Sequence, residues 1–556
     1  MAITPIHSVQ GAGLRSPLAG EHIETRGVVT GTGSKGFFIQ DPEGNGDTST
    51  SDAIFVYSPR YKPPVGALVK VSGKVVDFQH DPEGNERPTT QIMGHNTDVI
   101  AREGPSVEPV WLTADSVPED PEAVARYLNS LEGMLVGIEP GATFIAPSNP
   151  FGDYVVLPKG SDATRTPHGG VIIDPGNPHR WFPGFRIRSR DAPQVNVGAQ
   201  LISPVIGPLN YRSSSYQIAA QGGVQVINPE ITVERTQHRG DETHATVLTL
   251  NVFNLDEQVE QADRVKDSRR DIDDDVGDGR YTMLAKAVVD QAASPDIIAL
   301  QEIQDNDGAE QSGEARAYQN YKVLTDEIRR VGGPRYAWAD ISPELNADGG
   351  QPGGNIRNGC LYNPGRMELI EGSLGRIGEH DPAYDESRKP LIGRFRMKST
   401  GSEIAVINVH LASKRHQNGI FSPNDPGHDP RLKTRVRQVE IIRDVLRELK
   451  AQGIEYYVTG DFNDFEFSET LKTLVGDESV NLVETLPENE RYDYNHRGPS
   501  QALMHGIVSR ERAAEGGVQY EVLHGNELIG STPGRLGDKG SDHALVMARL
   551  DMAARD

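Results

Sequence analysis

YYVTGDFND (456–464) runs an apolar, aromatic and β-branched stretch straight into Asp461 and Asn463. A run of this kind reads as a buried strand, and its polar end is where chemistry can meet solvent. Side chains alternate faces along a strand, so Asp461 and Asn463 point the same way. Three further segments repeat the arrangement: VLTLNVFNL (247–255), DIIALQEIQ (296–304) and IAVINVHLASK (404–414). In the last of these, Asn408 and His410 share a face. A fifth piece, GSDHALV (540–546), sets Asp542 and His543 just ahead of the last apolar run.

Asn251, Glu302, His410, Asp461, Asn463, Asp542 and His543 are thereby expected at one rim of a pair of sheets. Hydrolysis of a phosphodiester needs hard oxygen ligands for a divalent cation, a base for water, and donors for the charge growing on phosphorus. Carboxylates, a carboxamide and imidazoles cover all three. Any one cluster alone has a plain structural reading. GDFND works as a turn leading to a helix N-cap at Ser468, and SDH as a strand cap. It is the set of five that points to phosphoester chemistry.

The strings LNVFN, LQE, NVHL, GDFN and SDH, in this order, resemble the endonuclease/exonuclease/phosphatase (DNase I-like) superfamily. SRKPLIGRF (387–395) looks like the superfamily's substrate-side Arg strand. GGQPGGNIRNGCLYNPGRM (349–367), GDFNDFEFSETLKTL (460–474) and NERYDYNHRGPSQAL (489–503) resemble large bacterial extracellular nucleases more closely. The resemblance implies a four-layer αββα sandwich and a Mg²⁺ or Mn²⁺ ion held by Glu302, helped by Asn251 and Asp542. It implies that Asp461 orients or deprotonates water and that Asn463 bonds the scissile phosphate. His410 and His543 would stabilise the transition state or protonate the leaving oxygen, and Arg388 and Tyr362 would contact substrate. Lys414, just past the NVHL strand, is a further candidate for substrate contact by its charge and place. One position departs from the pattern. Where the superfamily carries an Asp that orients the last His, ALMHGIVS (502–509) has Met504. A thioether does not accept the imidazole N–H as a carboxylate does. Either His505 or a carboxylate from elsewhere takes the role, or activity is reduced.

At 556 residues the chain is long enough for two to four domains. Its 59 glycines and 37 prolines favour β-rich, turn-dense domains over helical bundles. Cys360 is the only cysteine, which excludes an intrachain disulfide and a cysteine zinc cage. The net charge of −24 argues against tight nonspecific clinging to nucleic acid. Local basic groups that offset it are Lys414, Arg415 and His416, then Arg431, Lys433, Arg435 and Arg437. No apolar run approaches the roughly 20 residues that span a bilayer. The opening MAITPIHSVQ lacks the basic start and apolar core of a signal peptide. The resemblance implies an extracellular or periplasmic location, and a cytoplasmic one stays open.

Residues 1–105 alternate short apolar runs with Gly/Asp/Pro turns and resemble the OB-fold-like module that precedes the catalytic domain of such nucleases. Phe37, Phe38, Phe55 and Tyr57 are its candidates for stacking bases, although alternation puts half of them inside. Residues 106–240 read as a second β-rich module, with RTQHRGDET (235–243) linking it to a catalytic domain at 241–556. Helices are expected over 279–293, 317–331 and 435–450. Val436, Val439, Ile442, Leu446 and Leu449 form one packing face of the last. Two acidic stretches invite a structural Ca²⁺. DIDDDVGDG (271–279) fails the EF-hand pattern, with Val276 at the sixth position and Thr282 at the twelfth. DPEGNGD (41–47), partly repeated at 81–85, reads as a hairpin turn.

The expectation is therefore an α+β chain whose C-terminal αββα sandwich follows two small β modules. Its expected activity is that of a metal-dependent endonuclease on DNA, extending to RNA. A phosphatase or a phosphodiesterase for lipid or small-molecule substrates is the alternative with the same chemistry. A non-enzymatic OB-based binding protein with a decayed catalytic domain is the alternative without it.

Overall fold

Each of the five motif segments supplies a strand in the computed structural model, which describes residues 2–80, 85–187, 192–532 and 539–553. Two sheets form. The first orders its strands Ala337–Asp340, Arg357–Tyr362, Ile297–Ile303, His244–Leu255, Leu545–Asp551 and Val518–Leu523. The second runs Met367–Leu369, Leu391–Met397, Glu403–His410, Tyr456–Asp461, Met504–Ser509 and Ser479–Asn481, with Gly375–Arg376 added beside Leu391–Met397. At the centre of each sheet two motif strands lie parallel: LNVFN beside LQE, and NVHL beside GDFN. Parallel neighbours start at the same end, so all four motifs finish at one rim. Gly460 fits this pairing because a Cβ there would stand 2.0 Å from the Val409 carbonyl oxygen.

The layers follow from the faces. Val247, Phe395, Val406, Tyr457, Met504 and Val546 fill the space between the sheets. On the outer face of the first sheet, helices Arg280–Lys286 and Tyr318–Arg330 bury Leu284, Leu324 and Ile328. On the outer face of the second, helix Leu432–Ala451 buries Val439, Ile442, Leu446 and Leu449. Each such aliphatic side chain contributes about 1.5–3 kcal/mol on leaving water. The result is a four-layer αββα sandwich. The helix expected over 279–293 is shorter: it is α-helical to Lys286 and continues as a π-helical turn, Ala287–Gln291. Ser468 does cap a helix, Glu469–Val475, accepting from the Leu471 N–H.

Toward the motif rim the apolar filling gives way to a polar seam. Asn408 donates to the carbonyls of Leu300 and Gly359 in the opposite sheet at 2.8 and 2.9 Å, and accepts from Gln301 at 2.6 Å. Thr249 and Thr459 meet hydroxyl to hydroxyl across the same gap. Asn408 thus ties the sheets together, and only His410 of that strand face goes on to the site.

Ahead of the sandwich, strands His22–Gly33, Gly36–Gln40, Ala53–Tyr57, Leu68–Phe78 and Thr89–Ala101 close into a barrel around Phe37, Ile39, Ile54, Val69 and Ile92. Phe37 is sealed inside, whereas Phe38, Phe55 and Tyr57 line a cavity of about 970 Å³ shared with the second module. That module is a nine-stranded sheet between Val110 and Ile227, with one helix, Pro121–Ser130. In the acidic turn at 41–47, Asp41 and Asp47 cap the backbone N–H groups of Glu43 and Ser49, as a hairpin turn does. Its partial repeat at 81–85 lies outside the described residues except for Asn85. Among the described residues no helix is long and apolar enough to cross a membrane.

Candidate active site

Glu302 ends the LQE strand in the left-handed region, at φ 62°, where the register slips between Leu300 and Ile303. A non-glycine residue held there costs about 1–3 kcal/mol. The conformation turns the carboxylate inward. Its Oε1 accepts from Asn251 at 3.2 Å and its Oε2 from the Asn254 N–H at 3.1 Å. Asn251 also reaches Asp461 Oδ2 at 3.3 Å. Asp461 accepts the Asn463 N–H at 2.8 Å, and Asn463 in turn sits at φ 52°. The Asn463 amide and the Arg388 guanidinium both donate to the carbonyl of Leu411, at 3.1 and 3.0 Å.

Two histidines face this carboxylate cluster in different charge states. His410 Nε2 lies 3.6 Å from Asp461 and 3.8 Å from Glu302. Burial, and then the cations Arg388 and His543, hold its pKa well below the ordinary imidazole value, so it is neutral. His543 Nε2 lies 3.8 Å from the same Asp461 oxygen. Burial opposes its charge too, but Asp493, Asp542 and Asp461 outweigh it and lift the pKa to about 10. Its Nδ1–H donates to Asp493 Oδ1 at 3.1 Å, and Tyr494 stacks on the ring at 4.5 Å.

The cluster suits a hard cation. Glu302 and Asp461 are both raised in pKa, chiefly by burial, with Asp542 adding to the first and Asp493 to the second. Asp542 Oδ1 is buried without a hydrogen-bond partner. Glu302 and Asp542, with the Asn251 amide, are the residues that would hold the ion.

Residues 248–543, from the LNVFN strand to His543, match the model of the Endonuclease/Exonuclease/phosphatase family. The chain belongs to the endonuclease/exonuclease/phosphatase family. The activities in the family's name all hydrolyse phosphoester bonds. A second model, a domain of unknown function (DUF8508), matches residues 115–229 in the nine-stranded module. No curated protein matches the chain. Solved structures similar to it include the human Nocturnin catalytic domain with bound sulfate, at 14% identity over 56% of this chain and 95% of that one, TM-score 0.36. Another is D. rerio TDP2 complexed with single-strand DNA product, at 15% identity over 55% and 99%, TM-score 0.36. A third is the Bacteroides thetaiotaomicron mannosyl-6-phosphatase Bt3783, at 17% identity over 55% and 98%, TM-score 0.33.

Against the family pattern, the departure at Met504 is resolved by another carboxylate. Met504 is buried between the sheets, directly opposite Asp461 on the neighbouring strand, and its backbone N–H donates to Asp493 Oδ2 at 3.0 Å. The Leu503 N–H donates to the same oxygen at 2.8 Å. Asp493, from the turn of NERYDYNHRG, thus stands over the strand position that lacks an acid and takes the histidine. His505 does not substitute. It points to the opposite face, between Asn481 and the Asp464 carbonyl, because alternation separates it from Met504.

Two substrate-contact expectations are corrected. Tyr362 pairs with Ile297, at the far end of the LQE strand from Glu302, roughly 17 Å away, and packs on Phe395. The antiparallel course of its strand carries it from the rim. Lys414 is turned inward, 3.3 Å from Asp464 and over the Phe465 ring, with burial lowering its pKa to about 8. Arg435 is likewise occupied by Asp464 and Asp429, and Arg437 by Asp381. The sequence reading missed Asp493, Tyr494 and Arg280. Arg280 donates to the carbonyls of Val252, Phe253 and Gly540, tying the Asn251 and Asp542 segments together.

Proposed function

We propose that the chain is a divalent-metal-dependent phosphodiesterase acting as a sugar-nonspecific endonuclease, with DNA as its principal substrate and RNA as a second. The observation that carries this reading is the pair of buried histidines, one neutral and one charged, facing Asp461 beside a cation-ready carboxylate pair. Mg²⁺ or Mn²⁺ held by Glu302, Asp542 and Asn251 would polarise the phosphoryl oxygen and offset its growing charge. Asp461, its pKa raised toward that of a useful base, takes the proton of the attacking water. Asn463, fixed through Leu411, bonds a non-bridging oxygen. His543 and neutral His410 donate to the pentacovalent phosphorus centre, and imidazolium His543 passes its proton to the leaving oxygen. Arg388, buried behind them, adds positive field.

The five-stranded barrel fits this reading as an OB-fold-like platform. Phe38, Phe55 and Tyr57, opposite Arg87, Arg186 and Arg212 in the 970 Å³ cavity, suit stacked bases and a phosphate backbone. No described residue of the sandwich lines that cavity, so it would present substrate and not react with it. An extracellular or periplasmic location belongs to the same proposal and agrees with the acidic, cysteine-poor composition.

The net charge of −24 favours a second reading, a phosphatase or phosphodiesterase for small or lipid phosphoesters, because it repels a polyanion. The paired His543 and Asp493 weigh against a decayed site. The two active readings separate in a substrate panel with Mg²⁺ or Mn²⁺. Faster turnover of plasmid DNA and bis(p-nitrophenyl) phosphate than of p-nitrophenyl phosphate supports the nuclease. The reverse order replaces it with the phosphatase.

A further inference from the structure

Behind the catalytic rim lies a second acidic cluster that the proposed chemistry does not use. Asp256, just past the LNVFN strand, meets Asp273 and Asp275 of the DIDDDVGDG segment, with one ligating oxygen from each within 4.8 Å of the others. Among the described residues these three form the one such carboxylate group. Glu260 closes the side: a Cβ on Gly308 would come within 2.6 Å of Glu260 Oε1 and 2.8 Å of Asp256 Oδ1. Asp256 is fully buried, and its Oδ2 has no hydrogen-bond partner. Four acids thus converge on one paired cation, Arg280, which Asp275 binds. A buried carboxylate oxygen left unpaired beside like charges must either hold a proton or meet a cation.

We propose that Asp256, Asp273, Asp275 and Glu260 bind a structural Ca²⁺ ion, separate from the catalytic metal. Oxygen-only donors, one of them on an exposed residue that leaves room for water, fit a large ion with six to eight flexible ligands better than a small octahedral one. The segment reaches this site without the EF-hand spacing because Asp256 comes from a different element. The ion's role follows from Arg280. The guanidinium that pairs with Asp275 also bonds the carbonyls of Val252 and Phe253 at 2.6 and 2.8 Å, next to Asn251, and that of Gly540, two residues from Asp542. Calcium fixes Asp275, Asp275 fixes Arg280, and Arg280 holds the two backbone segments that carry Asn251 and Asp542.

The test is calcium titration of the metal-free full chain by calorimetry, with thermal unfolding in CaCl₂ and in EDTA. Wild type is expected to bind Ca²⁺ and to gain about 5 °C in Tm at saturating ion. Asp273→Asn, on the exposed side of the site and least able to disturb folding, should lose both effects. Glu302→Gln, in the catalytic cluster, should keep both. If Asp273→Asn retains calcium binding while Glu302→Gln loses it, the ion belongs to the catalytic site and the proposal falls. It falls equally if wild type takes up no Ca²⁺. None of these readouts depends on nuclease activity.

Discussion

His543 keeps its proton because Asp493, Asp542 and Asp461 surround a buried ring, and Asp493 alone makes the direct hydrogen bond. Asp493→Asn keeps an acceptor for the N–H groups of Leu503 and Met504 but removes the charge. We predict that kcat falls about 10²–10⁴-fold. The His543 pKa, followed by NMR in metal-free protein, should drop by about 1–3 units from its value of about 10. The linkage sign is fixed. The folded-state pKa is above the unfolded value, so this group's stabilisation is full below the unfolded imidazole pKa. It is lost as pH rises from there through about 10. In Asp493→Asn that alkaline loss of stability should shrink, which pH-dependent urea unfolding measures. Met504→Leu, by contrast, should cost under about 1.5 kcal/mol and leave kcat nearly unchanged, because the hydrogen bond from Met504 to Asp493 is a backbone one and leucine keeps the apolar volume opposite Asp461. Asn251, His410 and Asp461 were legible in sequence as the polar ends of apolar strands, whereas Glu302, turned in at a register slip, and His543, ahead of its strand, were legible only through the ordered set of motifs. Asp493 was not. It joins a histidine 50 positions away from an irregular turn, and no local period encodes such a contact.

At the scale of strands and helices, the rim is held by polar groups placed where apolar ones would pack. Asn408 reads in sequence as a partner of His410, yet it spends its amide on Leu300 and Gly359 across the sandwich. Replacing it with Ala removes the side-chain donor from both carbonyls in a buried gap and leaves the Gln301 amide with the Ala299 carbonyl alone. We expect a loss of about 2–4 kcal/mol in urea unfolding. Activity should fall with it, because Gln301 precedes Glu302. The amphipathic helix at 432–451 was legible from its spacing, as was the Ser468 cap. The π-helical turn at 287–291 was not, since its residues carry the same apolar period as an α-helix. Two left-handed residues of the candidate site, Glu302 and Asn463, are held in strained backbone conformations by the surrounding bonds.

Across the whole molecule, the nine-stranded module buttresses the turn that supplies Asp493 and Tyr494. Asn495 donates to the Ile145 carbonyl at 2.9 Å, His168 meets Tyr492 at 2.6 Å, and Ile172 forms a bridge with Ser500. The composition of 106–240 showed a β-rich unit but nothing of this contact, which joins segments more than 300 residues apart. Asn495→Ala should loosen the turn and lower kcat by up to about 10-fold on large and small substrates alike. Altering Phe38 or Tyr57 in the barrel should weaken DNA turnover and spare a small phosphodiester. The central claim is that the Asp461 rim is a metal-dependent phosphodiesterase centre completed by Asp493. Its most direct test is nicking of supercoiled plasmid in Mg²⁺ or Mn²⁺ by wild type, Asp461→Ala and Asp493→Asn, each beside an EDTA control. Nicking by wild type that EDTA and Asp461→Ala abolish and Asp493→Asn cripples is the predicted result. Intact plasmid at high wild-type concentration, or nicking that survives EDTA or Asp461→Ala, would contradict it.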